Sequence, residues 1–251
     1  MVTSTDTTVG MTCEVVNMKG ANGDMINAYV ARPTGNGPFP GMVFIHHILG
    51  WDEWSWETTR RLAQHGYATI LPNLFFRDGH GTPEEVAGAL RAAGGPQDQR
   101  VVDDVSGAID WLRGQPYSNG KVGIMGPCSG GRHAFLAGCE LGDKVDAVVE
   151  LWGGNVVQAE NTPQRPVSPH TLTSKLTAPL LGIFGNDDQN PPPAQVDIHE
   201  EALKAGGKEY EFHRYDGAGH GIFYYDRPMY RQEQAVDGWA KVFDFLGKHL
   251  S

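Results

Sequence analysis

The chain has 251 residues and a mass of 27.3 kDa, a length that one large α/β domain can fill around a single core. Hydrophobic residues make up 40% of it and charged residues 20%, which excludes a disordered or low-complexity chain. Twenty Lys and Arg against thirty Asp and Glu give a net charge of −10, the wrong sign for binding nucleic acid. We therefore expect one globular domain over residues 1–251, with no nucleic-acid partner.

The sequence carries no recognisable signal for export or membrane insertion. Residues 1–10 are Thr-rich and lack the basic start and apolar run of a signal peptide. The apolar stretch 41–50 is interrupted by His46 and His47, far short of the roughly 18 to 20 apolar residues that span a bilayer. The three cysteines are an odd number without a C-x-x-C pair, which argues against disulfides and structural zinc. These features predict a cytoplasmic protein with no membrane partner.

The first elements in chain order are two apolar segments, 11–18 and 25–32, separated by a Gly/Asn cluster that is typical of a turn. They predict an opening β-hairpin over about 11–32. After the Pro/Gly-rich stretch 34–40, continuous apolar runs alternate with segments of helical period, a pattern typical of strands buried on both faces of a sheet. The predicted strands are 41–46, 68–73, 122–125, 147–151, 179–184 and 210–215.

Helices are predicted between these strands, so the fold class is α/β, a mostly parallel twisted sheet with helices on both faces. The predicted helices are 57–65, 99–113, one from near Gly130, 194–205 and 230–248. Ligands bind such sheets outside the carboxyl ends of the strands. Two long segments, 75–96 and 153–177, lack regular periodicity and are rich in Gly and Pro, which makes them candidate lids.

The sharpest local signal is a short apolar strand that runs into Gly126-Pro-Cys128-Ser-Gly130 and then into an Ala-rich helical segment. This G-x-C-x-G pattern is typical of a nucleophile elbow, where the central residue is strained and its neighbours must be nearly free of side chains. The helix that follows directs free N–H groups and its positive dipole end at the sulfur, which favours the thiolate. The pattern predicts Cys128 as a nucleophile.

Two alternatives compete with that interpretation. A free cysteine is most often a small buried hydrophobe, which is how we interpret the other two cysteines. Ser129 is a rival nucleophile, but its flanks would be Pro127 and Gly131, and proline leaves no room for the turn. The glycines around Cys128 favour the cysteine, and the Ser129 N–H is better suited to an oxyanion hole.

The acid and the base of this architecture come later in the chain, each on a loop after a strand. Strand 179–184 is followed by Asp187 and Asp188, and either carboxylate can fix the tautomer of an imidazole. An Asp-rich turn is more often plain turn chemistry. The last strand is followed by Gly217-Ala-Gly-His220-Gly, a histidine bracketed by glycines. The order predicts His220 as general base and leaves both aspartates as candidate acids.

An oxyanion hole needs a second backbone N–H besides that of Ser129, normally from the loop after the strand that precedes the first crossover helix. That loop is 46–51, and Ile48 is the predicted donor. His46 and His47 in the same loop are alternative metal ligands. Because adjacent strand side chains point to opposite faces, we expect no metal there.

With these parts in place, the sequence resembles the dienelactone hydrolase family of α/β-hydrolases along nearly its whole length. The resemblance rests on Gly126-Pro-Cys-Ser-Gly-Gly131 with the preceding 115–123, on 185–192, and on Gly217-Ala-Gly-His-Gly-Ile-Phe223. It implies an α/β-hydrolase fold, a Cys128-Asp188-His220 triad, and hydrolysis of a small-molecule lactone or ester without a cofactor. The family's acid stands three residues after the strand-end glycine, which favours Asp188 over Asp187.

The sequence departs from the family pattern at two places. Members that cleave dienelactone carry a Glu beside the oxyanion loop, where this chain has His47, and an Arg four residues past the base, where it has Tyr224. Arg227 stands further on. The departures leave the substrate open, and we expect a monomer or a small homo-oligomer.

Aromatic residues follow several of the predicted strands and predict a pocket with aromatic walls, although many of them pack lids onto the core. Such walls favour a neutral, apolar substrate. The predicted substrate-binding residues are His47, Trp51, Trp152 and Tyr224. An anchor for an anionic group has three candidates, none of which the sequence singles out: Arg77, Arg91 and Arg100.

Two other functional classes fit parts of the sequence. In a thiol redox or sensor protein, Cys128 would be oxidised rather than acylated, but a resolving cysteine nearby is lacking. In a non-catalytic binding protein the fold would persist without chemistry, which the complete triad order disfavours.

Overall fold

A computed structural model describes residues 10–251, and its centre is an eight-stranded sheet. The strand order is β1-β2-β4-β3-β5-β6-β7-β8; β2 pairs antiparallel with β1 and with β4, and all other neighbours are parallel. This arrangement confirms the predicted α/β-hydrolase fold class. The strands are β1 Met11–Lys19, β2 Met25–Pro33, β3 Phe39–Phe44, β4 Ala68–Pro72, β5 Ser118–Pro127, β6 Ala147–Leu151, β7 Leu180–Gly185 and β8 Tyr210–Tyr215.

Within the described residues, six α-helices cover the sheet on both faces. They are α1 Glu53–Gln64, α2 Pro83–Ala92, α3 Asp98–Arg113, α4 Ser129–Leu141, α5 Pro193–Ala205 and α6 Gln232–Leu250. Successive strand side chains point to opposite faces, so Val43 packs with α3 and α4 whereas Met42 packs with α1 and α6. Within residues 10–251, no helix is long and apolar enough to cross a membrane.

The segment 75–96 is not irregular, as its lack of periodicity suggested, but contains α2. Thr82 caps this helix by accepting a hydrogen bond from the Glu85 N–H, while the Glu85 carboxylate accepts one from the Thr82 N–H. Pro83 at the first helical position has the backbone angle that a helix start requires. The signal was therefore present as a capping box in Thr-Pro-Glu-Glu. The other long segment, 153–177, contains only a short 3₁₀ helix, Pro169–Lys175.

Candidate active site

Cys128 stands between the end of β5 and the start of α4 with a backbone φ of 55°, in the left-handed region. A Cβ on Gly126 would lie 2.4 Å from the Gly130 carbonyl oxygen, and a Cβ on Gly130 would lie 2.1 Å from the Ile45 carbonyl oxygen. Both positions therefore need glycine, because the strand and the helix approach closely around the turn. The strained turn presents the half-buried Cys128 to a cavity of about 380 Å³.

His220 lies on the loop after β8, and Asp188 lies on the turn after β7. Their Nδ1 and Oδ2 atoms are 2.8 Å apart, and Asp188 is buried, with its Oδ1 accepting a hydrogen bond from the Asn190 N–H at 2.8 Å. Burial alone would lower the pKa of His220, but the Asp188 carboxylate and the neighbouring Cys128 sulfur outweigh it and raise the pKa to about 10. The structure thus brings together all three residues of the predicted triad.

The two predicted oxyanion donors belong to residues that line the same cavity as Cys128. Ile48 and Ser129 both line it, and within residues 10–251 neither N–H donates a hydrogen bond. Ser129 is the first residue of α4, where an N–H has no partner inside the helix. An oxyanion formed at a carbonyl attacked by Cys128 can therefore be stabilised from these two positions.

The cavity is lined by guanidinium groups and glycines instead of the expected aromatic walls. Arg132 is fully buried and neutralised by the Asp98 carboxylate, with its Nη2 2.9 Å from Oδ2. Arg91 and Arg165 also line the cavity, and neither forms an ion pair within the described residues 10–251. The Arg165 Nε is buried without a hydrogen-bond partner there. Burial, and then the nearby Arg132 charge, lower the pKa of Arg165. The cavity therefore presents two unneutralised cations.

The positions of the other candidate arginines explain why Arg91 alone among them reaches the site. Arg77 is bound by Asp24 and Asp104, at 2.7 and 2.9 Å, and Arg100 pairs with Asp78. Sequence reasoning missed Arg165, which comes from the long segment 153–177 and carries no local motif. The Arg165 guanidinium packs against Gly95 of the segment 75–96, so closely that a Cβ at position 95 would lie 2.5 Å from the Arg165 Nη2. The two long segments thus meet at the cavity.

The four predicted substrate-binding residues do not line this cavity. His47, Trp152 and Tyr224 are buried, and the Tyr224 ring packs against both of the others, with ring centroids 5.2 Å from His47 and 5.7 Å from Trp152. Trp152 and Tyr224 belong to the hydrophobic cluster on the α1 and α6 face, against which Cys128 also packs. The half-buried Trp51 donates its indole N–H to the Leu71 carbonyl at 3.2 Å. These side chains therefore pack in the protein interior near Cys128 and form no part of the cavity wall.

The described residues contain no group of three or more His, Cys, Asp or Glu side chains suited to a metal ion. His46 Nδ1 lies 2.9 Å from the His47 carbonyl oxygen, and the Leu74 N–H donates to His46 Nε2 at 3.2 Å. Both ring nitrogens are therefore engaged by backbone groups. The positions of Cys128 after β5, Asp188 after β7 and His220 after β8 on this sheet are those expected of an α/β-hydrolase.

Comparison with known proteins narrows this class. Residues 26–250 match the model of the Dienelactone hydrolase family, and the chain belongs to that family. A protein of Methylorubrum extorquens, provisionally named carboxymethylenebutenolidase, is 33% identical over 230 residues, which cover 90% of this chain and 77% of that protein. A Bradyrhizobium protein, provisionally named 2-oxo-3-(5-oxofuran-2-ylidene)propanoate lactonase, is 27% identical, with 92% of each chain covered.

A crystal structure from Klebsiella pneumoniae, provisionally named dienelactone hydrolase, is similar to this chain with a TM-score of 0.86 and 28% identity. The similarity covers 96% of this chain and 100% of the other. The structure of the promiscuous phosphotriesterase P91, from metagenomic libraries, has the same fold with a TM-score of 0.79 and 18% identity. Together with the family membership, these similarities identify a hydrolase of lactones or carboxylic esters.

Proposed function

We propose that Cys128, His220 and Asp188 hydrolyse a lactone or ester through a thioester intermediate, as nucleophile, general acid–base and orienting carboxylate. The observation that carries this proposal is the 2.8 Å contact between Asp188 and His220 in the same site as the strained Cys128. The His220 pKa of about 10 supports a resting imidazolium beside the Cys128 sulfur. No cofactor enters the reaction.

In the first half of the reaction, the Cys128 sulfur attacks the carbonyl carbon and the carbonyl electron pair moves to oxygen. The oxyanion accepts hydrogen bonds from the Ile48 and Ser129 N–H groups. Collapse of this intermediate breaks the carbon–oxygen bond to the leaving group, and the imidazolium of His220 gives its proton to the departing oxygen. The product is an alcohol or enol, which stays on the same molecule when the substrate is a lactone.

In the second half, the neutral His220 takes a proton from water while the water oxygen attacks the thioester carbonyl. The same two N–H groups stabilise the second oxyanion. Its collapse breaks the carbon–sulfur bond, releases the carboxylic acid and returns Cys128 as thiolate beside protonated His220. Asp188 accepts the Nδ1–H of His220 throughout and holds the ring in one orientation.

The charge of the cavity supports a substrate that carries a carboxylate beside its scissile bond. Arg165 and Arg91 are the two lining cations without an acidic partner in the described part of the chain. A guanidinium in a partly dry site binds a carboxylate through two parallel hydrogen bonds. The Bradyrhizobium relative is provisionally named for a propanoate lactone, which has such a group. The sequence favoured a neutral substrate because the aromatic residues were expected in the cavity wall.

Covalent trapping tests the nucleophile. The Cys128→Ala variant is expected to lose all hydrolysis, and mass spectrometry after a substrate pulse is expected to find an acyl adduct on Cys128 of the parent. Full turnover in Cys128→Ala would disprove the mechanism. A sulfenic acid on Cys128 without turnover would instead support the redox class.

Substrate charge is tested by kcat/KM on a carboxylate-bearing lactone and on a neutral aryl ester. Arg165→Gln is expected to lower kcat/KM for the lactone by about 10- to 100-fold and to leave the aryl ester near the parental value, because a charge-assisted bidentate pair contributes about 1.5–3 kcal/mol. Lys248→Gln removes the same charge at an exposed site on α6 and serves as the control. Equal losses on both substrates in Arg165→Gln would disprove the carboxylate proposal.

A further inference from the structure

Tyr224, His47 and Asp52 form a hydrogen-bonded chain that the mechanism above does not use. The Tyr224 hydroxyl lies 2.9 Å from His47 Nδ1, and His47 Nε2 lies 2.7 Å from Asp52 Oδ2. His47 and Tyr224 are buried, at 2% and 3% exposure. Arg227 completes the chain by donating from Nη2 to Asp52 Oδ2 at 3.1 Å. Such a network needs a defined arrangement of protons, because an unmatched buried donor or acceptor is costly.

The protons of the chain are fixed by Asp52. Burial would raise the pKa of Asp52, but the His47 hydrogen bond and charge, with the Ser55 N–H, outweigh it and lower the pKa to about 2. The ionised carboxylate accepts, so His47 Nε2 carries the proton and donates it. The Tyr224 hydroxyl forms the second hydrogen bond to the ring, at Nδ1, on the opposite side from Asp52. Each of the two ring nitrogens of His47 is therefore held by a hydrogen bond.

The backbone of His47 is held as well. Its carbonyl oxygen accepts hydrogen bonds from the Gly50 N–H at 2.9 Å and from His46 Nδ1–H at 2.9 Å. The peptide that joins His47 to Ile48 is planar and trans, so its N–H points opposite to its C=O. Fixing the His47 carbonyl therefore fixes the direction of the Ile48 N–H, which belongs to a residue that lines the Cys128 cavity.

The chain also joins two loops that carry different parts of the active site. His47 belongs to the loop after β3, next to the oxyanion donor Ile48, whereas Tyr224 stands four residues after the base His220. The Tyr224 ring is packed edge-to-face on Trp54 and Trp152, with ring centroids 4.6 and 5.7 Å away. The hydroxyl of a rigidly packed ring thus fixes the imidazole of the neighbouring loop.

We propose that Tyr224 and His47 are positioning residues that hold the Ile48 N–H in the oxyanion hole. This inference rests on the proposed thioester mechanism, which gives the Ile48 N–H its role. Neither residue lines the Cys128 cavity. Tyr224 holds the His47 ring, the ring and carbonyl of His47 hold the 47–48 peptide, and the peptide directs the N–H.

The Tyr224→Phe variant tests the proposal because it keeps the aromatic packing and removes one hydroxyl. It is expected to lower kcat for ester hydrolysis by about 10-fold with KM near the parental value, less than the 10²–10³-fold that follows complete removal of an oxyanion donor. A small aldehyde forms a tetrahedral hemithioacetal with Cys128, and the affinity of the variant for this aldehyde is expected to fall by a similar factor. Tyr225→Phe removes a hydroxyl from an exposed neighbour and is the control.

Alkylation of Cys128 by iodoacetamide separates oxyanion positioning from general damage, since it needs the thiolate and forms no oxyanion. The rate of Cys128 alkylation in Tyr224→Phe is expected to equal that of the parent enzyme. The melting temperatures of the two proteins are expected to agree within a few degrees. A parallel loss of alkylation and hydrolysis would overturn the proposal, and so would parental hydrolysis and aldehyde affinity. Should Tyr224→Phe not fold, His47→Gln, which can still donate to Asp52, undergoes the same measurements.

Failure of the underlying mechanism is distinguishable from failure of this inference. If Cys128 were not the nucleophile, hydrolysis by the parent enzyme would survive stoichiometric alkylation of Cys128. The positioning inference is judged only on the ratio of hydrolysis to alkylation in the variants. A parent enzyme that alkylation inactivates, with variants that keep a parental ratio, would preserve the mechanism and overturn the positioning role.

Discussion

Asp188 and His220 meet through a 2.8 Å contact between Oδ2 and Nδ1, whereas the adjacent Asp187 is exposed and donates its N–H to the Ala218 carbonyl at 2.9 Å. The two aspartates stand side by side after the same strand, yet the turn directs only one carboxylate inward. That contact orients the imidazole toward Cys128 and keeps its charged form favourable. The course of the backbone therefore places two identical side chains in different surroundings.

Replacement of the acid distinguishes these two carboxylates. Asp188→Asn is expected to lower kcat/KM by on the order of 10²–10⁴-fold, because the imidazole loses its orientation and the stabilisation of its positive charge. Asp187→Asn changes an exposed side chain of the same turn and is expected to keep near-parental kinetics. Steady-state kinetics on one ester with both variants is the measurement. Equal losses in the two variants would contradict the assignment.

The pH dependence of kcat/KM follows from the raised pKa of His220. Its proton is held at neutral pH and is lost only as the pH rises through about 10, so the alkaline limb of kcat/KM is expected near that pH. Asp188→Asn removes one cause of the upward shift and is expected to move the limb to lower pH. A pH–rate profile with a stable aryl ester measures both. An alkaline limb that Asp188→Asn leaves in place would refute this explanation.

The glycine requirement of the elbow predicts a stability difference between two Gly→Ala variants. Gly130→Ala places a Cβ 2.1 Å from the Ile45 carbonyl oxygen and is expected to destabilise the fold by about 3 kcal/mol or more. Gly88→Ala in the middle of α2 meets nothing within 4 Å and is expected to stabilise by about 0.5–1 kcal/mol. Chemical denaturation of both variants gives the comparison. A Gly130→Ala protein as stable as the parent would show that strand and helix can separate.

Acid stability depends on His46, whose burial lowers its pKa to about 4. In the folded chain the neutral ring accepts from the Leu74 N–H, while in the unfolded chain it takes up a proton near the usual pKa of about 6.5. The contribution of neutral His46 to the free energy of unfolding is therefore complete above pH 6.5. This contribution falls by up to about 3 kcal/mol as the pH drops toward 4.

The His46→Gln variant tests this dependence. It is expected to be less stable than the parent at pH 7 but to lose less stability between pH 6.5 and 4, as measured by urea unfolding across that range. His80→Gln alters an exposed histidine and is the control, with the parental slope. If the free energy of unfolding of His46→Gln changed with pH as steeply as that of the parent, groups other than His46 would be responsible for the acid sensitivity.

The sequence was most informative where one local pattern determines the structure. The buried parallel strands are continuous apolar runs, and the elbow needs glycines at fixed offsets, so β6 and Cys128 could both be predicted from short windows. The predicted strand 122–125 falls inside the longer β5, which begins at Ser118. The helix α2 was missed because it lies in a segment rich in Gly and Pro, which was interpreted as irregular, although its capping box was readable.

The wall of the cavity could not be predicted because it depends on contacts between distant segments. Arg165 reaches the site only through the course of 153–177, and Arg77 is removed from it by acids far away in the chain. Likewise, aromatic residues that follow the strands pack in the hydrophobic cluster on the α1 and α6 face and do not line the cavity at Cys128. The contact between His47 and Tyr224 spans 177 positions, which no local pattern encodes.

The buried Arg132 ties α4, the helix that begins directly after Cys128, to the segment that carries Arg165. Its Nη2 donates to Gln158 Oε1 at 3.0 Å, and the Gln158 Nε2 donates in turn to the Arg165 carbonyl at 3.0 Å. A 153–177 loop without an acceptor at position 158 would leave this interior cation one hydrogen bond short, one helical turn from Cys128. Exchange of this loop is therefore expected to disturb the start of α4 unless the new loop supplies an equivalent acceptor.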